Sequence, residues 1–188
     1  VEAQQRLKIL TERHPDSVYA PLALYEAAEQ AERRGLDTSY KEAQEYLQLL
    51  TESYPEHPLV FYARLKQGDI ARKQNDFGVA QNIYELVLNQ FPEHPERYRA
   101  ALSRADCLMG QAGREPVRFD EAASEFERLF DLPNLPADAR IEAGFKWGFL
   151  LATHGNTRRA QEVYWLVLSR FLTSPGSARD LGERGRYW

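Results

Sequence analysis

The chain has 188 residues, 43% hydrophobic and 28% charged, with a formal net charge of -4. That balance suits a water-exposed globular chain and excludes a disordered tail or a polybasic nucleic-acid binder. Its longest apolar stretches, such as residues 149–152, fall far short of the roughly 20 residues a membrane helix needs. The one cysteine, Cys107, has no internal disulfide partner.

The chain opens VEAQQRLKIL without initiator Met or targeting signal. Its first periodic element is a helix ending at Pro15. There Ala3, Leu7 and Leu10 are spaced 0, 4 and 7, which puts them on one helical face with a small residue where another helix can approach. The same triplet returns as Ala43/Leu47/Leu50, Ala80/Tyr84/Val87, Ala122/Phe126/Leu129 and Ala160/Tyr164/Val167. We term these five helices B. Twelve residues after the alanine stand Pro15, Pro55 and Pro92, and Pro133 comes one residue earlier in its copy. Proline lacks an amide hydrogen and clashes with the preceding turn, so each predicts a helix end.

Between them the spacing predicts second amphipathic helices, termed A, at about 16–34, 58–74, 95–112 and 136–153. Asp76 is the expected N-cap of one helix B, and Ser39 to Glu42 fits a capping box at the start of another. Gly35, Gly113 and Gly155 are expected C-terminal stops of helices A. The words YPEHP and FPEHP at residues 54–58 and 91–95 then read as joints. The first proline closes a helix, and the second (Pro58, Pro95, and Pro136 in the next copy) opens another. Strand signals are absent, so the fold class is all-α, with about nine helices.

Gly68 to Ala71, then Ala80 and Tyr84, then Pro92, and again Trp147, Gly148, Gly155, Ala160 and Tyr164, resemble the tetratricopeptide pattern G-x2-Y, A-x3-F, P. The resemblance implies a right-handed α-solenoid of antiparallel helix pairs. Its expected divisions are a partial repeat at 1–15 (helix B only), pairs at 16–55, 56–92, 93–133 and 134–172, and a partial terminal helix at 173–188, together one array and a piece of a longer protein. The alanines are 40, 37, 42 and 38 residues apart, longer than the family's usual 34. The Tyr/Phe-Pro-x-x-Pro links resemble divergent members from the bacterial cell envelope, which points to a periplasmic or envelope setting and leaves a cytoplasmic one open.

No catalytic constellation is present: Asp76, Phe77 and Gly78 spell a kinase triplet but lack the accompanying loops. Cys107 sits among apolar neighbours as an inert thiol. His57 and His94 are one repeat apart, too far to share a metal. The expectation is a non-enzymatic scaffold with no cofactor or metal and with a protein or peptide partner rather than nucleic acid.

The resemblance implies that helix A side chains face a concave groove, where three rows fall in register: Tyr19, Tyr62 and Arg99; Leu22, Leu65, Leu102 and Phe145; and Glu26, Asp69, Asp106 and Phe149. An apolar row beside an acidic row suits a segment with apolar and basic residues. Basic residues at the A to B turns (Arg33/Arg34, Arg72/Lys73, Arg114/Arg118, Arg158/Arg159) form a second edge of unassigned role. The alternative function is a structural or oligomerisation module of a larger envelope protein, self-associating through solenoid ends.

Overall fold

The computed structural model describes residues 17–171 together with positions 9 and 13. Apart from positions 9 and 13, the expected helix B at 1–15 lies outside the described residues, as does the terminal segment at 173–188, hence both proposed self-association ends. Eight helices are described: α1 Ala20–Arg33, α2 Asp37–Ser53, α3 Leu59–Lys73, α4 Phe77–Gln90, α5 Tyr98–Ala112, α6 Pro116–Asp131, α7 Ala137–Thr153 and α8 Thr157–Phe171. There is no strand among the described residues. Odd-numbered helices are the expected A type and even-numbered ones the B type. The chain divides into two compact units, Val1–His94 and Pro95–Trp188, the boundary falling within the FPEHP word of the sequence.

In the first unit α1 pairs with α2, α3 packs on both, and α4 pairs with α3. Ala20, Ala27, Ala28 and Ala31 of α1 and Ala43 of α2 are completely or almost completely buried, so the two backbones approach closely at the alanine stripe. Leu24, Leu47 and Leu50 fill the space between, and Val60, Ala63 and Ile70 of α3 close over them. Each of these larger side chains contributes roughly 1.5–3 kcal/mol by leaving water.

In the second unit α5 pairs with α6, α6 with α7, and α7 with α8. Its core is Ala122, Phe126, Leu129 and Phe130 of α6 with Ala143, Gly144 and Trp147 of α7, and Ala160, Val167 and Phe171 of α8. The repeating alanines Ala43, Ala80, Ala122 and Ala160 are all at most 2% exposed, as their face assignment requires.

The joints follow the sequence closely, with differences in where single helices begin and end. Helices α2, α4 and α6 stop at Ser53, Gln90 and Asp131, two residues ahead of Pro55, Pro92 and Pro133. Pro58 and Pro136 are N-cap residues just before α3 and α7, but α5 begins only at Tyr98, after a turn following Pro95.

Helix α2 starts three residues earlier than the capping-box reading placed it: its N-cap is Leu36, not Ser39. Ser39 is its third helical residue, and its hydroxyl accepts from the Leu36 amide and donates to the Leu36 carbonyl. Asp76 caps α4 as expected, accepting from the Val79 amide.

Gly35 and Gly155 end their helices at φ +67° and +81°, a conformation that costs glycine nothing. Gly113 ends α5 as its C-cap too, but in the right-handed region, at φ -70°. In the remaining A to B turn the left-handed position is taken by Asn75 at φ 61°, the other residue type that tolerates it.

Candidate protein-binding face

In two of the pairs, α3/α4 and α7/α8, helix A is seated on its helix B by an aromatic ring against a glycine. A Cβ on Gly68 would lie 2.6 Å from the Tyr84 ring, and one on Gly148 would lie 2.4 Å from the Tyr164 ring. Tyr84 is fully buried, and its hydroxyl donates to Asp69 Oδ1 at 2.7 Å. Burial and the adjacent Asp69 carboxylate push the Tyr84 phenol well above its ordinary range. In α2, burial and Glu42 raise Tyr46 to about 12, with Tyr46 Oη donating to Glu42 Oε1 at 3.1 Å.

Successive A helices are also tied by lysines. Lys66 of α3 reaches back to α1, with Nζ 2.8 Å from Glu32 and 3.2 Å from Glu29 and 5.6 Å from the Tyr25 ring centroid. Lys73 adds a 2.7 Å contact to Glu32. Burial alone would raise the Glu32 carboxyl, but hydrogen bonds from Lys66 and Lys73 outweigh it and hold the group below the usual carboxylate value. Burial works against the Lys66 charge too, yet Glu32, Tyr25 and Glu29 hold its ammonium above the usual lysine value.

The second unit repeats the device. Lys146 of α7 is 7% exposed and donates to Asp106 of α5 at 2.8 Å, with Glu142 at 2.7 Å. Lys66 and Lys146 occupy the same repeat position, each following its row residue, Leu65 or Phe145. They escaped the sequence reading because their partners lie 34 and 40 residues away, outside any local window. Their equal register was the available signal.

These ties sort the expected groove residues. In the first unit Tyr19 (68% exposed), Leu22 (47%) and Glu26 lie open on α1. The spacings of three and four put them on one helical face, and Glu26 makes no ion pair or hydrogen bond among the described residues. On α3, Tyr62 is half-buried, its ring edge-on to Phe61 at 5.1 Å and to His94 at 5.6 Å. His94 itself stacks on Phe61 at 3.5 Å, so the second joint word holds an aromatic cluster as well as a turn. Leu65 is 4% exposed, and Asp69 is held by Tyr84 with Arg72 3.7 Å away.

In the second unit Arg99 is exposed and paired with Glu96 at 2.8 Å. Leu102 is 6% exposed, and Asp106 is tied to Lys146. Phe145 is half-buried, 5.9 Å from the Tyr164 ring, while Phe149 is 45% exposed. The structure thus brings Tyr19, Leu22 and Glu26 together on an open face and sets Leu65 and Leu102 in the interior. Asp69 and Asp106 hold internal bonds.

Much of the basic turn edge is locally neutralised. Arg34 pairs with Glu42, Lys73 with Glu32, and Arg118 with Glu115 and Glu121. Arg159 meets Glu162 and Glu127 and lies over the Trp147 ring. Arg158, whose side chain is 95% exposed, reaches only to Glu162 at 3.5 Å among the contacts on α8. Cys107 is fully buried. No helix among the described residues is long and apolar enough to cross a membrane.

The tetratricopeptide repeat family model matches residues 62–94, which take in most of α3, all of α4 and the FPEHP word up to His94. No curated protein sequence matches the chain significantly. Among solved structures, the chain is similar to the nearly identical TPR-like repeats of a candidate kinesin light chain from Podosopora anserina. The TM-score is 0.69 at 16% identity, covering 92% of this chain and 86% of that one. It is also similar to MamA from Desulfovibrio magneticus RS-1, with TM-score 0.65 at 21% identity, covering 92% and 87%. The fold is therefore the tetratricopeptide-like arrangement of consecutive helix pairs.

Proposed function

We propose that the chain is a non-catalytic scaffold that binds a protein or peptide segment on its helix A face. The observation that carries this reading is the open face of α1, where an exposed aromatic, an exposed leucine and a carboxylate with no ion pair among the described residues are aligned: Tyr19, Leu22 and Glu26. Leu22 and Glu26 stand at the repeat positions that Leu65 and Asp69 fill with interior contacts. In α1 the same chemistry is left available to a partner. Tyr and Leu offer apolar area at low ordering cost, and the carboxylate selects a lysine or arginine beside the apolar anchor. Tyr62 of α3, and Phe145, Phe149 and Arg99 of the second unit, are further contact candidates.

The test is selection of a random peptide library on the immobilised full chain. Enriched peptides should combine apolar and basic residues. A Tyr19→Ala/Leu22→Ser/Glu26→Lys variant should lose at least about tenfold in affinity, roughly 1.4 kcal/mol, with its helical circular dichroism unchanged. Equal affinity of the variant would overturn the reading. The proposal includes a bacterial cell-envelope setting, supported by the Tyr/Phe-Pro-x-x-Pro links alone; recovery of the native protein in the cytosolic fraction would remove that part.

A further inference from the structure

Tyr19, Glu26 and Arg33 are spaced seven apart, almost two helical turns each, so they form one line along α1 at intervals of about 10.5 Å. All three are exposed, and Leu22, 47% exposed, lies between the first two. The neighbouring acids Glu29 and Glu32 are taken by Lys66 and Lys73. Glu26 and Arg33 make no ion pair or hydrogen bond among the described residues. The face thus offers an aromatic, then an anion, then a cation, in a fixed order.

One stretch of the sequence carries the complementary order in reverse. Residues 180–188 read DLGERGRYW and lie outside the described residues. Asp180, Arg184 and Trp188 are spaced four apart, and in an extended segment residues of like parity point to one face. Arg186 shares that face. Four residues of extended chain cover about 13 Å, close to the interval that the α1 line sets, and an arginine side chain spans the difference. Gly182 and Gly185 weaken a helix across this stretch. Run antiparallel along α1, Trp188 meets Tyr19 and Leu22, Arg184 meets Glu26 with Arg186 close by, and Asp180 meets Arg33. Every contact is then apolar on apolar or opposite in sign. The parallel direction would set Asp180 on the apolar end and leave Arg33 without a carboxylate.

We propose, building on the binding reading of this same face, that it receives residues 180–188 of a second copy of the chain. The face belongs to the first compact unit and the segment to the second, so copies join head to tail through two different surfaces. The tryptophan supplies the apolar anchor, and the two charge pairs fix direction and register.

The experiment is sedimentation velocity of the full chain over a range of concentrations. The expected result is association that rises with concentration and that Glu26→Lys or Arg184→Glu weakens at least about fivefold, with helical circular dichroism unchanged. Both substitutions in one chain restore the pair with its signs exchanged, so association should return to near the wild-type level. A chain that stays monomeric at every concentration overturns the proposal. So does association that neither single substitution weakens, since the copies would then meet elsewhere, and so does a double variant that associates no better than the single ones. The peptide-library selection separates this proposal from the reading beneath it. Enriched peptides that depend on Tyr19, Leu22 and Glu26, with a monomeric chain, remove only the second copy as occupant; no enrichment and no association remove both.

Discussion

Alanine in place of Gly68 should destabilise the protein, whereas alanine in place of Gly78, a few residues along in the next helix, should stabilise it. Both glycines are helical, so propensity alone favours alanine at each by about 0.5–1 kcal/mol. At Gly78 nothing lies within 4 Å of the added Cβ, so most of that gain should appear. At Gly68 the Cβ would sit 2.6, 2.9 and 3.0 Å from three carbons of the Tyr84 ring. The ring cannot swing away, because it is fully buried and its hydroxyl is anchored on Asp69 at 2.7 Å. Overpacking of this kind costs about 1–3 kcal/mol, leaving a net loss on the order of 0.5–2 kcal/mol after the propensity gain. Gly148→Ala should cost less although its contact is shorter, 2.4 Å, since Tyr164 is half-exposed and can yield. Thermal melts followed by circular dichroism read the series directly, at about 2–4 °C per kcal/mol for a chain of this size. A Gly68→Ala midpoint equal to or above wild type would refute the reasoning.

Two further outcomes concern the lysine ties. Lys146→Met should cost roughly 3–5 kcal/mol in urea unfolding, because Asp106 and Glu142 lose the buried cation between them; Lys146→Met with Asp106→Leu should recover most of it, and a single variant costing under about 1 kcal/mol would contradict the burial. On the acid side, Glu32 has a lowered pKa in the folded chain, so its contribution is present above the ordinary carboxylate value, 4.5, and is lost as pH falls through the folded value below it. Melting midpoints of Glu32→Gln should therefore lie below wild type at neutral pH and converge on it in acid; parallel pH profiles would show that Lys66 and Lys73 do not stabilise through this group.

The repeat frame was legible because it is written in short-range chemistry. Proline and alanine act through their own backbone and size, so Pro55, Pro92, Ala43, Ala80, Ala122 and Ala160 could be assigned from spacing. What the frame could not convey was which way a row residue is spent. Leu22 and Leu65 share a position and a side chain, yet one is 47% exposed and the other 4%. Asp69 reads as an acid on a helix face, but its partner is a tyrosine 15 residues away whose ring position depends on a glycine. Asn75 took the left-handed turn that glycine fills at 35 and 155, and Gly113 did not need it. These outcomes depend on atoms brought in from other helices.

The repeat is most informative where it is broken. If Asp69 and Asp106 were binding residues, their charge would be the property that mattered. The structure gives them structural duties, so charge reversal at either would disturb Tyr84 or Lys146 whether or not a ligand binds there. A loss of binding at those positions therefore cannot identify a binding face, and the informative substitutions are those whose side chains do not hold the fold together. Leu22 and Glu26 on α1 meet that requirement. Each stands at a register position that α3 and α5 assign to a different environment, and each lies open to solvent. The interior positions keep the repeats alike because they must pack; exposed positions are released from that constraint, and their departures are where a partner can be read.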